Sequence, residues 1–265
     1  MTERRLELDL ELEADPEEVW EAIATGPGIS AWFVPQRVEP REGGAVEQDY
    51  GSGYEASGRV TAWEPVSGEG RGRFAYGSFD HPEDGRPDYA YEFIVEGRDG
   101  GGTVLRFVQS GFLDGTDWDG EYDSFDAGWR LFFTNLRSYL EHFAGQRVQN
   151  VVTMGYTAGS ASEVWPVLHR ALGLGGHPAV GTEVTLAPDG PAPIAGVVDV
   201  ANEEFLGVRS AGGLHRIGAE GADGCGVSAY HYFYGEPVDA PALTADWQEW
   251  LTRLFPVPAG SPEHR

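Results

Sequence analysis

A phrase stated twice constrains this chain more than any other feature. "DPEEVWEAI" (15–23) returns in altered form as "SASEVWPVL" (160–168), with Trp20 and Trp165 145 positions apart. Before the first copy, Leu6, Leu8, Leu10 and Leu12 alternate with Glu7, Asp9, Glu11 and Glu13, which is the period of a strand with one wet face. Asp15 then stands where a helix N-cap belongs, Pro16 fits the first helical position, and Glu18 completes a capping box. Val19, Trp20 and Ile23 form the apolar stripe of the helix that follows. In the second copy Ser160, Glu163, Val164, Trp165 and Leu168 take the same parts. The incoming strand "VVTMGYTA" (151–158) needs a one-residue shift to match, which predicts a β-bulge there.

The ends of the two halves repeat as well. "GWRLFFTNLRSYLEHF" (128–143) sets Trp129, Phe132, Phe133, Leu136, Leu140 and Phe143 on one helical face. "DWQEWLTRLF" (246–255) sets Trp247, Trp250, Leu251 and Leu254 at the same spacings, 118 positions on. Between opening and closing helices lie short strands punctuated by glycine turns. One amphipathic helix proves little, but a strand–cap–helix opening and a Trp-led closing helix, twice in one order, make a tandem repeat. The expectation is α+β, with one domain over 1–147 and a shortened, diverged second over 148–265.

Composition excludes several classes. The chain of 265 residues has 43 acidic residues against 18 basic ones, no lysine, and a formal charge of −25. Such a field repels phosphate backbones, so no nucleic acid is expected as a partner. No apolar run approaches the roughly 20 residues of a membrane span, and "MTERRLELDLELEAD" reads as a strand, so a soluble cytoplasmic protein is expected. Cys225 is the one cysteine and reads as a small buried residue. The glycine clusters lack the spacing of a phosphate-binding loop. The histidines form no HExxH, so neither metal nor cofactor is expected. "DGTDWDGEYDSFD" (114–126) departs from a calcium-loop pattern at its first and last ligand positions. It reads as a solvated acidic loop, with Asp123 or Ser124 capping the closing helix.

The first half carries a family resemblance in "DPEEVWEAI", "ISAWF" (29–33), "GRVTAWEP" (58–65), "YEFIVE", "GGTVLRFVQSGF" (101–112) and "GWRLFFTNLRSYL" (128–140). As an ordered set these resemble the START-like, or SRPBCC, superfamily, and within it the branch named for the C-terminal domain of the activator of the heat-shock-protein ATPase. The resemblance implies a helix-grip domain, in which a curved antiparallel sheet wraps a long C-terminal helix around a cavity. Members bind apolar or aromatic ligands, act as aromatase/cyclase-type enzymes, or serve as the co-chaperone itself. The second half keeps the opening helix, "GVVDVAN" and the closing helix, and has no counterpart of "AWF".

The reading that follows is non-catalytic binding of a small hydrophobic or aromatic ligand in the first domain. Strand alternation puts Tyr91, Phe93 and Val95 on one face and Leu105, Phe107 and Gln109 on another, both directed at Trp129, Phe133 and Leu136. The expected ligand-binding set is Trp32, Phe33, Tyr76, Tyr91, Phe93, Phe107, Gln109, Phe112, Trp129 and Phe133. Gln109 stands where the family branch commonly carries histidine. Two alternatives are regulatory binding to a protein partner and a cyclase- or hydrolase-like reaction using Gln109, Tyr91 or Tyr76. No serine, cysteine or carboxylate pair reads as a nucleophile with its base. His231, on the strand face opposite Tyr230, Tyr232 and Tyr234, reads as a surface or satisfied core residue.

Overall fold

The structure is a computed structural model and describes residues 4–51, 53–68, 70–77, 89–112, 116–221 and 224–256, without the side chains of residues 4, 112 and 116–124. The chain divides into two compact units, Met1–Arg147 and Val148–Arg265. Each has its own antiparallel sheet, seven strands in the first and six in the second. No described helix is long and apolar enough to cross a membrane.

In the first unit, β1 (Arg4–Leu12) leads into α1 (Pro16–Ala24) and α2 (Gly26–Ser30). Strands β2 (Gln36–Val38), β3 (Ala45–Asp49), β4 (Glu55–Ser67), β5 (Arg71–Gly77), β6 (Ala90–Gly97) and β7 (Thr103–Phe112) then run as a meander to α3 (Thr116–His142). The last strand pairs with the first, giving the order β1-β7-β6-β5-β4-β3-β2. The predicted capping box forms, with the Asp15 backbone N–H donating to Glu18 Oε2 at 3.2 Å. At the joint between α1 and α2, the Thr25 hydroxyl accepts from the Gly28 N–H at 3.0 Å, satisfying one donor that the helix start would otherwise orphan.

The second unit repeats this order in shorter form. β8 (Val148–Thr157) and α4 (Ala161–Ala171) open it, and α5 (Ala240–Leu254) closes it. Between them run β9 (Glu183–Leu186), β10 (Ile194–Ala201), β11 (Phe205–Ser210), β12 (Gly213–Glu220) and β13 (Cys225–Tyr234), in the order β8-β13-β12-β11-β10-β9. The second capping box is present as well, the Ser160 N–H donating to Glu163 Oε2 at 2.9 Å. Trp247, Trp250 and Leu251 of α5 share one core with Val164, Trp165 and Leu168 of α4 and Val227 and Ala229 of β13. Both units are therefore helix-grip domains, arranged in tandem along the chain.

Three expectations need correction. The bulge predicted in the second opening strand is absent: β8 pairs with β13 residue for residue from Val148 to Thr157, and the irregularity falls in β1, between Arg4 and Leu6. The acidic stretch after β7 is helical from Thr116, so Asp123 and Ser124 lie inside α3 and do not cap it. Carboxylates near a helix N-terminus complement its dipole, and each of the two interior glycines, Gly120 and Gly128, costs only about 1 kcal/mol. Likewise α5 begins at Ala240, because Asp239 caps it by accepting from the Ala242 N–H at 3.2 Å. The expected loop "SFDHPEDGRPD" lies almost wholly outside the described residues.

Gly28 makes the elbow possible. A Cβ there would stand 1.9 Å from the Glu21 carbonyl oxygen and 2.7 Å from Thr25 Oγ1. Gly28→Ala must push α2 away from α1, and overpacking of this kind costs about 1–3 kcal/mol. Urea unfolding should therefore show a lowered midpoint with an unchanged slope; an unaltered midpoint would show that the elbow relaxes freely.

Candidate functional site

The first unit brings nine of the ten expected residues into its interior. Trp32, Phe33, Tyr76, Tyr91, Phe93, Phe107, Gln109, Trp129 and Phe133 are all buried. The tenth, Phe112, has a side chain outside the described residues. Alternation does the placing: Tyr91 and Phe93 leave β6 on the face from which Phe107 and Gln109 leave β7, and this face meets α3. Phe107 and Trp129 have ring centroids 4.3 Å apart, Phe33 and Trp129 4.9 Å, and Trp32 and Phe133 5.7 Å. These rings pack on one another, each such pair contributing about 0.5–1.5 kcal/mol beyond its burial.

Hydrogen bonds fix how the rings lie. Trp129 Nε1–H donates to Gln109 Oε1 at 2.6 Å, and Trp32 Nε1–H to the Ala22 carbonyl at 2.8 Å. Asn135 Nδ2–H reaches the Trp32 carbonyl at 3.2 Å, tying α3 to the end of α2. Gln109 thus has an internal partner for its carbonyl, while its Nε2 has none. Burial is also what pushes the Tyr76 and Tyr91 phenols well above their ordinary range, so both are neutral donors near pH 7.

Beside the rings lies a space that the sequence did not reveal. A cleft of about 670 Å³ is lined by Ser30, Pro35, Gln36, Arg37, Glu47, Gln48, Asp49, Glu55, Ala56 and Ser57, along the β2–β3–β4 edge. Gln36 and Gln48 are both buried. The Gln48 amide donates to Gln36 Oε1 at 3.1 Å and to the Tyr76 hydroxyl at 3.3 Å. A polar row therefore leads from the cleft to the edge of the aromatic interior, and Gln36 Nε2 in that row makes no well-formed hydrogen bond, although the Gln36 side chain lies near the Tyr76 phenol.

Residues 13–141 match the family described as activator of Hsp90 ATPase homolog 1-like protein. The match lies wholly within the first domain. Among solved structures, this chain is similar to protein MLL2253 from Mesorhizobium loti at 23% identity and TM-score 0.46, over 53% of this chain and 98% of that one. It is similar to DynU16, from the dynemicin biosynthetic locus, at 18% identity and TM-score 0.44, over 94% and 95% of the two chains. Similarity to the di-domain ARO/CYC BexL, from the BE-7585A biosynthetic pathway, is 13% with a TM-score of 0.45, over 94% of each. No curated protein matches the chain.

Beyond the first unit, the second holds a polar cluster that sequence reasoning missed. His231 is neither at the surface nor fully satisfied: it is 1% exposed and its Nε2 has no partner. It lies on Trp247 of α5, with ring centroids 4.2 Å apart, and its Nδ1 is 3.1 Å from His215 Nδ1. The other nitrogen of His215, Nε2, is 3.0 Å from Ser210 Oγ. The missed signal is the register itself, which puts His215 opposite His231 on neighbouring strands. Cys225 is buried as expected, and burial raises its thiol. Among the described residues, no group of three or more His, Cys, Asp and Glu side chains could hold a metal ion.

Burial, and next the Arg216 charge, lowers His215 to about 3; burial, then His215 and Arg216, lowers His231 well below its ordinary value. The unfolded chain then binds more protons below roughly pH 6.5, so stability falls with acid by about 1.4 kcal/mol per pH unit for each histidine. Glu220, pushed up to about 7 by burial and then by Glu204, works in the opposite sense between its unfolded and folded values. From these three groups together the loss should be about 1.4 kcal/mol per unit between roughly pH 6.5 and 4.5, and steeper below. Denaturant titrations of wild type and of the His215→Gln/His231→Gln variant check this; equal slopes in the two would refute it.

Proposed function

We propose that the first domain binds a small, uncharged aromatic or apolar molecule without transforming it, seated in the cleft floored by Gln36 and Gln48. The observation that carries this reading is a concavity of about 670 Å³ lined by Gln36, whose buried Nε2 makes no hydrogen bond. A buried donor left without a partner costs about 1–3 kcal/mol, which a ligand carbonyl, ether or phenol oxygen would recover. The volume falls within the range of small-molecule sites, and the Gln48–Tyr76 bonds carry the polar row inward for a second contact. Glu47, Asp49 and Glu55 against Arg37 make the rim acidic, which disfavours an anion.

The buried rings of Trp32, Phe33, Phe93, Phe107, Trp129 and Phe133 form the firm body behind the cleft. Binding without chemistry fits the cleft's Ser30, whose hydroxyl is committed to backbone groups: it donates to the Gly26 carbonyl at 2.7 Å and accepts from the Gln36 N–H at 2.8 Å. A hydroxyl so held is not activated as a nucleophile.

Titration with a neutral probe such as 1-naphthol, followed by tryptophan fluorescence and calorimetry, tests the proposal. Saturable binding at one site is expected. Gln36→Leu should weaken it about tenfold, the equivalent of about 1.4 kcal/mol, while thermal stability holds within about 1 kcal/mol because removal of the orphaned donor offsets loss of the acceptor of the Gln48 amide. Loss of stability in parallel with binding, or absence of saturation up to millimolar probe, would refute the cleft as the site.

A further inference from the structure

Two imidazoles on the core face of one sheet are an expensive feature, since each displaces an apolar side chain and one leaves a ring nitrogen unpaired. Their surroundings suggest a use. Ser210 ends β11, Ala211 and Gly212 form an exposed two-residue turn, and Gly213 begins β12. The register sets Val208 opposite His215, so Ser210, two residues on, lies diagonally across from the imidazole on the same face. Ser210 is half-buried at the rim, whereas His215 and His231 are buried behind it.

We propose that Ser210, His215 and His231 form a nucleophile, its general base and a positioning residue that together hydrolyse a small neutral carboxylic ester at the Ala211–Gly212 turn. Serine Oγ and histidine Nε2 stand 3.0 Å apart, and the second imidazole meets the far nitrogen of the first at 3.1 Å. This is the geometry by which a weak hydroxyl nucleophile is activated: base in reach of the hydroxyl, and base oriented by a third group. Ser210 Oγ can also donate to the Gly213 carbonyl, at the longer distance of 3.4 Å.

The tautomers follow from the contacts. For His215 Nε2 to accept the serine proton, its Nδ1 must carry hydrogen and donate it to His231 Nδ1. His231 then carries its own hydrogen on Nε2, the atom that has no partner. The absence of a side chain at Gly213 keeps the imidazole edge open, because a Cβ there would stand 3.1 Å from both Cε1 and Nε2 of His215. Phe233, 5.4 Å from His215 between ring centroids, and Trp247 beneath His231 make the surroundings apolar. Aromatic neighbours on a chain of formal charge −25 favour an uncharged ester over an anionic one.

In the acylation step Ser210 Oγ bonds to the acyl carbon while its proton passes to His215 Nε2. The bond from that carbon to the alcohol oxygen breaks, and Nε2 returns the proton to the departing alcohol. Water then attacks the acyl-serine, giving a proton to Nε2; the bond to Oγ breaks, and Ser210 regains the proton. Ester and water become acid and alcohol. The N–H groups of Ala211 and Gly212 are the backbone donors adjacent to Ser210 and would meet the negative oxygen of each intermediate. A desolvated imidazole is a weak base, so turnover is slow and lacks an acid limb near pH 6.5.

The full chain should hydrolyse p-nitrophenyl acetate and take one fluorophosphonate label, mapped by mass spectrometry to Ser210. Ser210→Ala, with circular dichroism unchanged, should abolish labelling and reduce hydrolysis to the buffer rate. His215→Gln should lower the rate by about 100-fold or more. His231→Gln should lower kcat about tenfold with KM little changed, and nitrogen-15 spectra should show His215 protonated on Nδ1 in the wild type but not in that variant. A label elsewhere or none, hydrolysis that survives Ser210→Ala, or a wild-type His215 protonated on Nε2 would overturn the proposal. Should His215→Gln fail to fold, the label and Ser210→Ala still decide.

Discussion

Everything in each domain depends on one helix lying across the concave face of an antiparallel sheet. The helix must be apolar along the whole stripe that meets the sheet, and every strand must turn alternate side chains toward it. Trp129, Phe133 and Leu136 meet that demand in the first domain, Trp247, Trp250 and Leu251 in the second. Fully burying a large apolar side chain contributes about 1.5–3 kcal/mol, so a Trp-led stripe supplies much of what holds helix to sheet. The opening helix closes the arrangement: Trp20 meets Trp63 of β4 edge-on, with ring centroids 5.3 Å apart.

Tryptophan brings a condition with it, because a buried indole N–H needs an acceptor. Trp129 finds it in Gln109, Trp32 in the Ala22 carbonyl and Trp165 in the Glu203 carbonyl. The first of these places an amide inside an otherwise apolar interior. Gln36 and Gln109 in the first domain, and His231 in the second, are polar groups that the two cores admit and do not wholly satisfy. Unsatisfied buried nitrogen is costly, so these positions are where function would be sought before any other. The same reasoning separates the domains. In the first, the orphaned nitrogen borders a cleft; in the second, it ends a chain of hydrogen bonds that begins at a half-exposed hydroxyl.

The repeat, the strand–cap–helix joints and the alternation of β6 and β7 were legible because each is a local pattern of period two or 3.6. The extent of α3 was not read, although Trp118, Tyr122 and Phe125 keep helical spacing ahead of Trp129, because the acidic residues between them suit a solvated loop equally well. The absence of a bulge in β8 was beyond reach too, because register is a property of two strands and not of one.

The sequence by itself determined that two helix-grip domains follow one another, and which rings must be buried. Only the tertiary structure decided which polar atoms meet. Gln36 and Gln48 face one another because β2 pairs with β3, and His215 faces His231 because β12 pairs with β13 in that register. Ser210 reaches His215 across the next pairing, from a strand end that nothing in its own neighbourhood distinguishes. A side chain's periodicity is written in its own strand, but its hydrogen-bond partner is chosen by the strand alongside, and that choice exists only once the sheet has formed.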